Sequence, residues 1–193
     1  MIQNMMGVGI VMKKLTFILL LSVLLTGCSN TNNPNISEKD LFIIDQDSNK
    51  KIGLGMKKSE IENILGLSTN TSNNWYVYDG IHIAFRNDKV VGLRLLDDSN
   101  GRYLTTRTVG VGSPKNKLLE AYGDFLIGNT LQEQYIDIYI EYTKDGRYKV
   151  LDKDDRINHE NEDNIYIISF IMDIDEVIKS VWIIDYLFGT RFQ

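Results

Sequence analysis

Cys28 is the only cysteine in a chain of 193 residues. A single thiol cannot close an intramolecular disulfide, and it cannot build a cysteine-based zinc site. Histidine is almost as scarce. His82 and His159 are the only two, and neither has a spaced partner of the kind a metal site or a nucleophile triad requires. Basic excess is missing as well: 21 Lys and Arg stand against 26 Asp and Glu, a net charge of −5. Phosphate recognition rests on clustered Lys and Arg, so nucleic acid is not an expected partner. No cofactor and no resident metal is expected either.

Long apolar runs are also lacking. The most apolar segment, Leu15 to Leu25, has eleven residues, whereas a helix needs about 20 to cross a hydrocarbon core. Lys13 and Lys14 precede the run, and Leu25-Thr26-Gly27-Cys28 ends it. A positive start, a short apolar middle and a small-residue ending form the pattern of a cleaved signal peptide, residues 1–27. The LTGC ending resembles the bacterial lipobox, whose cysteine carries a lipid and becomes the new N-terminus. Lipidation of Cys28 is therefore expected, with the chain held by acyl groups on the outer side of a cell membrane. Either Met1 or Met12 could be the start. Removing Lys13 and Lys14 from the basic count leaves 19 against 26 acids, or −7, for residues 28–193. Residues 28–39 include the polar stretch SNTNNPNIS (29–37), which reads as a flexible tether.

One phrase occurs twice. Ile52 to Gly66 reads IGLGMKKSEIENILG, and Val109 to Gly123 reads VGVGSPKNKLLEAYG. At an offset of 57 residues Gly53, Gly55, Lys58 and Gly66 match Gly110, Gly112, Lys115 and Gly123, and apolar residues fall opposite apolar ones. In the first copy Ser59 and Glu62 have capping-box spacing, Ile61, Ile64 and Leu65 share a helix face, and Gly66 supplies a left-handed stop. In the second, Ser113-Pro114 opens a helix whose stripe is Leu118, Leu119 and Tyr122. The glycines at 53 and 55 serve positive φ or close backbone approach at the strand-to-helix junction.

Alternating runs follow each phrase: 75–78, 80–86 and 89–96, then 135–143, 147–151, 164–173 and 177–185, with turn signals at Asp79-Gly80, Asn87-Asp88 and Asp145-Gly146. DSNKK (47–51) and DSNGR (98–102) lead into the two copies, and 103–109 adds a strand. The predicted fold is α+β, with two tandem modules (40–97 and 98–193). Each is a short helix on an antiparallel meander, and together they share one sheet. Residues 152–163 form an acidic insertion in the second module.

The pattern G-x-x-x-x-E-I-x-x-x-L-G at 55–66, followed by Trp75-Tyr76-x-Tyr78 and a strand ending in Phe85, resembles the helix-plus-meander module of the small lipoprotein of the outer-membrane β-barrel assembly machinery. The tandem arrangement resembles the family of β-lactamase inhibitory protein. The resemblance spans about Asp40 to Asp185. It implies a scaffold that binds a partner through a concave sheet and has no known catalysis.

Among chemical candidates, Asp45-x-Asp47-x-Asn49 imitates the start of a calcium loop but has Lys50 and Met56 where that loop needs Gly and Glu. The insertion DKDDRINHENED could grip a cation, although a run of acids in a loop is ordinarily solvated. Carboxylate pairs for a cell-envelope hydrolase are spaced in three dimensions and are not readable here. The positive signal is the sheet face opposite the helices. Alternation places Tyr76, Tyr78, His82, Arg86, Arg94, Tyr135 and Tyr139 on it as candidate partner-binding residues, of the types that interfaces enrich at their hot spots. Trp182 is assigned to the core, because its strand is apolar on both faces.

Overall fold

The computed structural model describes residues 35–99, 101–125, 134–152, 155, 157 and 160–191. Cys28, most of the tether, and Arg156 and His159 of the acidic insertion lie outside the described residues. The strands are β1 (Phe42–Asp45), β2 (Lys50–Gly53), β3 (Asn70–Ser72), β4 (Trp75–Tyr78), β5 (Ile81–Arg86), β6 (Lys89–Leu95), β7 (Tyr103–Thr105), β8 (Tyr135–Tyr142), β9 (Tyr148–Val150), β10 (Ile165–Met172) and β11 (Ile178–Asp185). The helices are α1 (Lys58–Leu65), α2 (Lys115–Tyr122) and α3 (Tyr186–Arg191). The chain is thus α+β, with strands in two antiparallel sheets.

Eight strands form one sheet in the order β3-β4-β5-β6-β11-β10-β8-β9. Strands drawn from 70–95 meet strands drawn from 135–185 where β6 pairs antiparallel with β11, Leu93 opposite Ile183. The lead-in segments behave otherwise. β2 and β7 flank β1 in a separate three-stranded sheet, and the expected strand at 103–109 stops at Thr105 because Thr108 turns the chain with φ 64°.

Each eight-residue helix is too short to persist alone, and each is held by one buried face. Ile61 of α1 and Leu118 and Tyr122 of α2 are fully buried against Ile83, Leu93, Ile136, Phe170 and Ile183 of the large sheet and Ile43 and Ile52 of the small one. Leu119, expected in the stripe, lies 37 % exposed; Leu118 and Tyr122, four apart, carry the contact. The first cap is also displaced. α1 begins after Lys57, whose backbone N–H donates to Glu60 Oε2 at 2.7 Å, so Glu60 replaces Glu62 in the reciprocal role and Ser59 lies inside the helix. Pro114 is the residue before α2 and not its first turn. Gly66 has the positive φ of the expected stop, 81°, but an extended ψ of −168° in place of the left-handed helical turn, and Gly123 stays right-handed and runs into a 3₁₀ turn.

The two strand-to-helix junctions make the same hydrogen bonds. Gly55 N–H donates to the Val90 carbonyl at 2.8 Å, and Gly112 N–H to the Ile178 carbonyl at 2.8 Å. Lys58 N–H reaches the Asp88 carbonyl at 3.0 Å, and Lys115 N–H the Glu176 carbonyl at 2.9 Å. Both helix starts are therefore pinned to a hairpin of the large sheet, β5–β6 in one case and β10–β11 in the other. Even the preceding glycines agree: Gly53 N–H donates to Met56 Sδ at 3.3 Å, and Gly110 N–H to Ser113 Oγ at 3.1 Å.

Opposite α1 and α2, the large sheet carries a second, smaller apolar cluster of Trp75, Ala84, Val91, Ile167, Ile184 and Phe188. α3 supplies its lid, since Asp185 Oδ1 accepts the Phe188 N–H at 2.7 Å and turns the chain back over the sheet as β11 ends.

Candidate functional site

Register decides which side chains share this second face. Cross-strand pairing sets His82 beside Arg94, Arg94 beside Trp182, Trp182 beside Ser169 and Ser169 beside Asp137, a row that crosses β5, β6, β11, β10 and β8. The adjacent row runs from Trp75 through Ala84 and Gly92 to Ile184, Ile167 and Tyr139. Ala84 and Gly92 leave room above them. A Cβ at position 92 would lie 3.0 Å from the Trp75 ring and 3.2 Å from that of Phe188, so the missing side chain lets these rings pack over β6.

The aromatic rings build a cage. Trp75 meets Phe188 edge-on at 5.1 Å and Trp182 edge-on at 6.0 Å. The Arg94 guanidinium lies 4.7 Å from the Trp75 ring centroid and 5.3 Å from that of Trp182, within the range of cation–π attraction. Trp182 is oriented by its indole N–H, which donates to Ser180 Oγ at 2.7 Å while the Ser180 hydroxyl donates to the Leu95 carbonyl at 2.7 Å.

Arg94 Nη2 lies 2.8 Å from His82 Nδ1. A guanidinium only donates, so Nδ1 accepts and the ring carries its proton on Nε2. Burial, followed by the positive charge of Arg94, pushes the His82 pKa down, in keeping with a neutral imidazole. Burial also lowers the pKa of Arg94. Its Nε is buried without an acceptor.

Beside the cage runs an open groove of about 780 Å³, lined by Trp75, Arg94, Trp182, Tyr135, Asp137 and Ser169 among others. That is the size of many ligand sites. One wall is the β3–β4 turn, where Asn73 and Asn74 take positive φ of 47° and 66°. Ser169 Oγ donates to Asp137 Oδ1 at 2.5 Å, which ties to the sheet the one acid among the described residues of the groove.

The candidate residues divide. His82 and Arg94 lie in the cage, and Tyr135 stands on the groove's rim, 56 % exposed. Tyr139 is on the same face but in a neighbouring groove of about 450 Å³ beside Tyr186, where burial raises its pKa. Tyr76 and Tyr78 are corrected to the helix side. Tyr76 stacks edge-on with Phe85 at 5.2 Å under the Lys58 ammonium, and Tyr78 is 3 % exposed in the main core. Arg86 follows a bulge between Ala84 and Phe85 and is drawn into an ion pair with Asp185 at 2.6 Å. Trp75, Trp182, Ser169 and Asp137 were missed. In Trp75-Tyr76-Val77-Tyr78 every position is aromatic or β-branched, so hydrophobicity carries no phase. Signals were available at Ser180, a polar residue in phase with Trp182, and at Asp137, in phase with Tyr135 and Tyr139.

Asp152 and Asp155 lie on the neighbouring groove, and Asp155 accepts from Lys149 Nζ at 3.0 Å. Among the described residues no group of three His, Cys, Asp or Glu side chains could hold a metal ion, and no helix is long and apolar enough to cross a membrane.

No family model, no curated protein and no solved structure matches this chain.

Proposed function

We propose that the chain is a non-catalytic binding module, anchored by lipid on Cys28 to the outer face of a cell membrane, that presents the second face of its large sheet to a protein partner. The observation that carries this reading is the groove beside Trp75, Arg94 and Trp182. It gathers the aromatic and Arg side chains that dominate interface energetics, with a more polar rim around them. A duplicated helix-plus-meander unit explains how such a face arises. The matched junction bonds at Gly55 and Gly112 support duplication, and the β6–β11 pairing joins strands of both halves beneath the groove. The segment Lys13 to Cys28 supports the anchor.

Photo-crosslinking in cells that make the protein tests the face. Tyr135 and Tyr142 sit at the two ends of β8, both exposed (56 % and 41 %), and point to opposite faces because their offset along the strand is odd. A benzophenone amino acid at 135 is expected to give a discrete adduct that the same probe at 142 does not. Equal labelling from both, or none from 135, refutes the reading. Palmitate labelling that survives Cys28→Ala refutes the anchor.

A further inference from the structure

Arg94 differs from the other described arginines. Arg86, Arg102, Arg107, Arg147 and Arg191 each face a carboxylate. Arg94 has no ion-pair partner among the described residues. Its polar contact is the one to His82 Nδ1, which is neutral, and its Nε has no acceptor. A guanidinium removed from water without a counter-charge is costly, and two indole rings offset only part of that cost. The cation nevertheless lines an open groove. Such a group is left wanting an anion that arrives from outside.

The surroundings select the anion. One Arg with part of its fork already committed to His82 suits a single carboxylate. A multiply charged phosphate would meet Asp137 in the same groove and a chain of net charge −5. Half-buried Ile171 and Trp182 line the same groove over buried Ile184 and Phe188, so the carboxylate should be carried by a chain with apolar neighbours. The Asn73-Asn74 turn has two successive left-handed residues. It therefore lacks the alternating right- and left-handed backbone of the nests that capture a free peptide terminus.

Resting on the binding-face reading above, we infer that Arg94 is the anchor for an Asp or Glu side chain of the protein partner, with the residues beside that acid seated on Trp182 and Ile171. His82 holds the guanidinium in place by accepting from Nη2, which leaves the rest of the fork for the incoming carboxylate.

The test is selection from random peptide libraries against the full lipidated chain in detergent. In one library both peptide ends are joined to the display scaffold; in the other the C-terminus is free. The chain's two tryptophans, Trp75 and Trp182, both line the groove, so intrinsic fluorescence reports occupancy. The expected result is enrichment of Asp or Glu at one position next to apolar residues in the closed library, with binding that shifts the tryptophan emission. Arg94→Gln should weaken those peptides tenfold or more, the loss of one charge-assisted pair, and Arg94→Lys should weaken them less. Selection on the Gln variant itself should still yield apolar peptides without the acid, which shows that its face is folded. Acid enrichment confined to the free-terminus library, peptides without acid from the wild type, or affinity unchanged in Arg94→Gln each overturns the anchor while leaving the binding face standing. Recovery of no groove-binding peptide from either library overturns the binding face itself.

Discussion

Four glycine-to-alanine substitutions give a quantitative test of the two junctions. Gly55 and Gly112 both have φ +83°, and a Cβ at 55 would meet nothing within 4 Å. Alanine at either suffers the left-handed backbone cost of about 1–2 kcal/mol, partly offset by the ~0.4–1 kcal/mol of lost unfolded-state freedom, and at 55 no contact adds to it. Gly55→Ala should therefore lose about 1 kcal/mol, and Gly112→Ala, with the same φ, at least as much. Gly53 and Gly110 serve proximity, and here the copies part. A Cβ at 53 would sit 2.2–2.5 Å from the ring of Phe42, a side chain at the edge of the core that can swing away. A Cβ at 110 would sit 2.5 Å from the backbone carbonyl of Tyr103, which cannot move without breaking into the β1–β7 pairing. Overpacking costs about 1–3 kcal/mol where neighbours can yield, so Gly53→Ala belongs within that range and Gly110→Ala at its top or above. Urea unfolding with a shared m-value measures all four. If Gly112→Ala loses less than Gly55→Ala by more than about 1 kcal/mol, or if Gly53→Ala proves worse than Gly110→Ala, the shared backbone cost at the junctions and the reason given for their difference both fail.

Two buried carboxylates should impose opposite pH dependences. Burial pushes Asp45 upward, but bonds from Arg102, Ser48 and the Asp47 N–H outweigh it and hold its pKa low. Its stabilisation is thus present above the unfolded value of about 3.9 and lost as pH falls through the folded one. At Asp185 burial prevails over Phe188 N–H and Arg86 and raises the pKa, so its contribution is full below that unfolded value and declines as pH rises through the folded one. Unfolding midpoints across pH should rise less steeply below about pH 3.9 in Asp45→Asn and fall less above it in Asp185→Asn; changes on the same side of that value contradict the assignment. In α2, Leu118→Ala should cost about 2–5 kcal/mol and Leu119→Ala under about 1; comparable losses in thermal melts would mean the helix is rotated. By NMR, His82 should titrate below the ordinary imidazole value of about 6.5, and Arg94→Gln should raise its midpoint without restoring that value, because burial remains. A midpoint unmoved by the substitution would remove Arg94 from contact with the ring.

Local pattern was legible where it involved short range. Alternation marked β4, β5, β6, β8, β10 and β11 within a residue or two of their ends, and the glycine phrase identified two junctions that make matching bonds. Helix capping was shifted because Lys57 and Pro114, weak formal caps, are placed by pairing with Lys89 and Val177 of the neighbouring hairpins, and tertiary pairing overrides capping preference. Within the site, His82 and Arg94 were legible because each lies between apolar neighbours, Ile81 and Ile83 in β5 and Leu93 and Leu95 in β6, away from the bulge at Ala84 and Phe85. Tyr76 and Tyr78 were not, because an all-aromatic and β-branched tetrapeptide fits either phase until Trp75 is registered opposite Ala84.

The amino-acid sequence alone determined the element types, the turns and the lack of a disulfide, since each depends on side chains a few residues apart. Only the tertiary structure decided that β6 and β11 lie side by side, that β2 and β7 leave the large sheet for a small one, and that Arg94 is enclosed by Trp75 and Trp182. Those outcomes join residues up to about 110 positions apart along the chain, and such contacts follow from which faces can be buried together, a property of the folded whole that no local window contains.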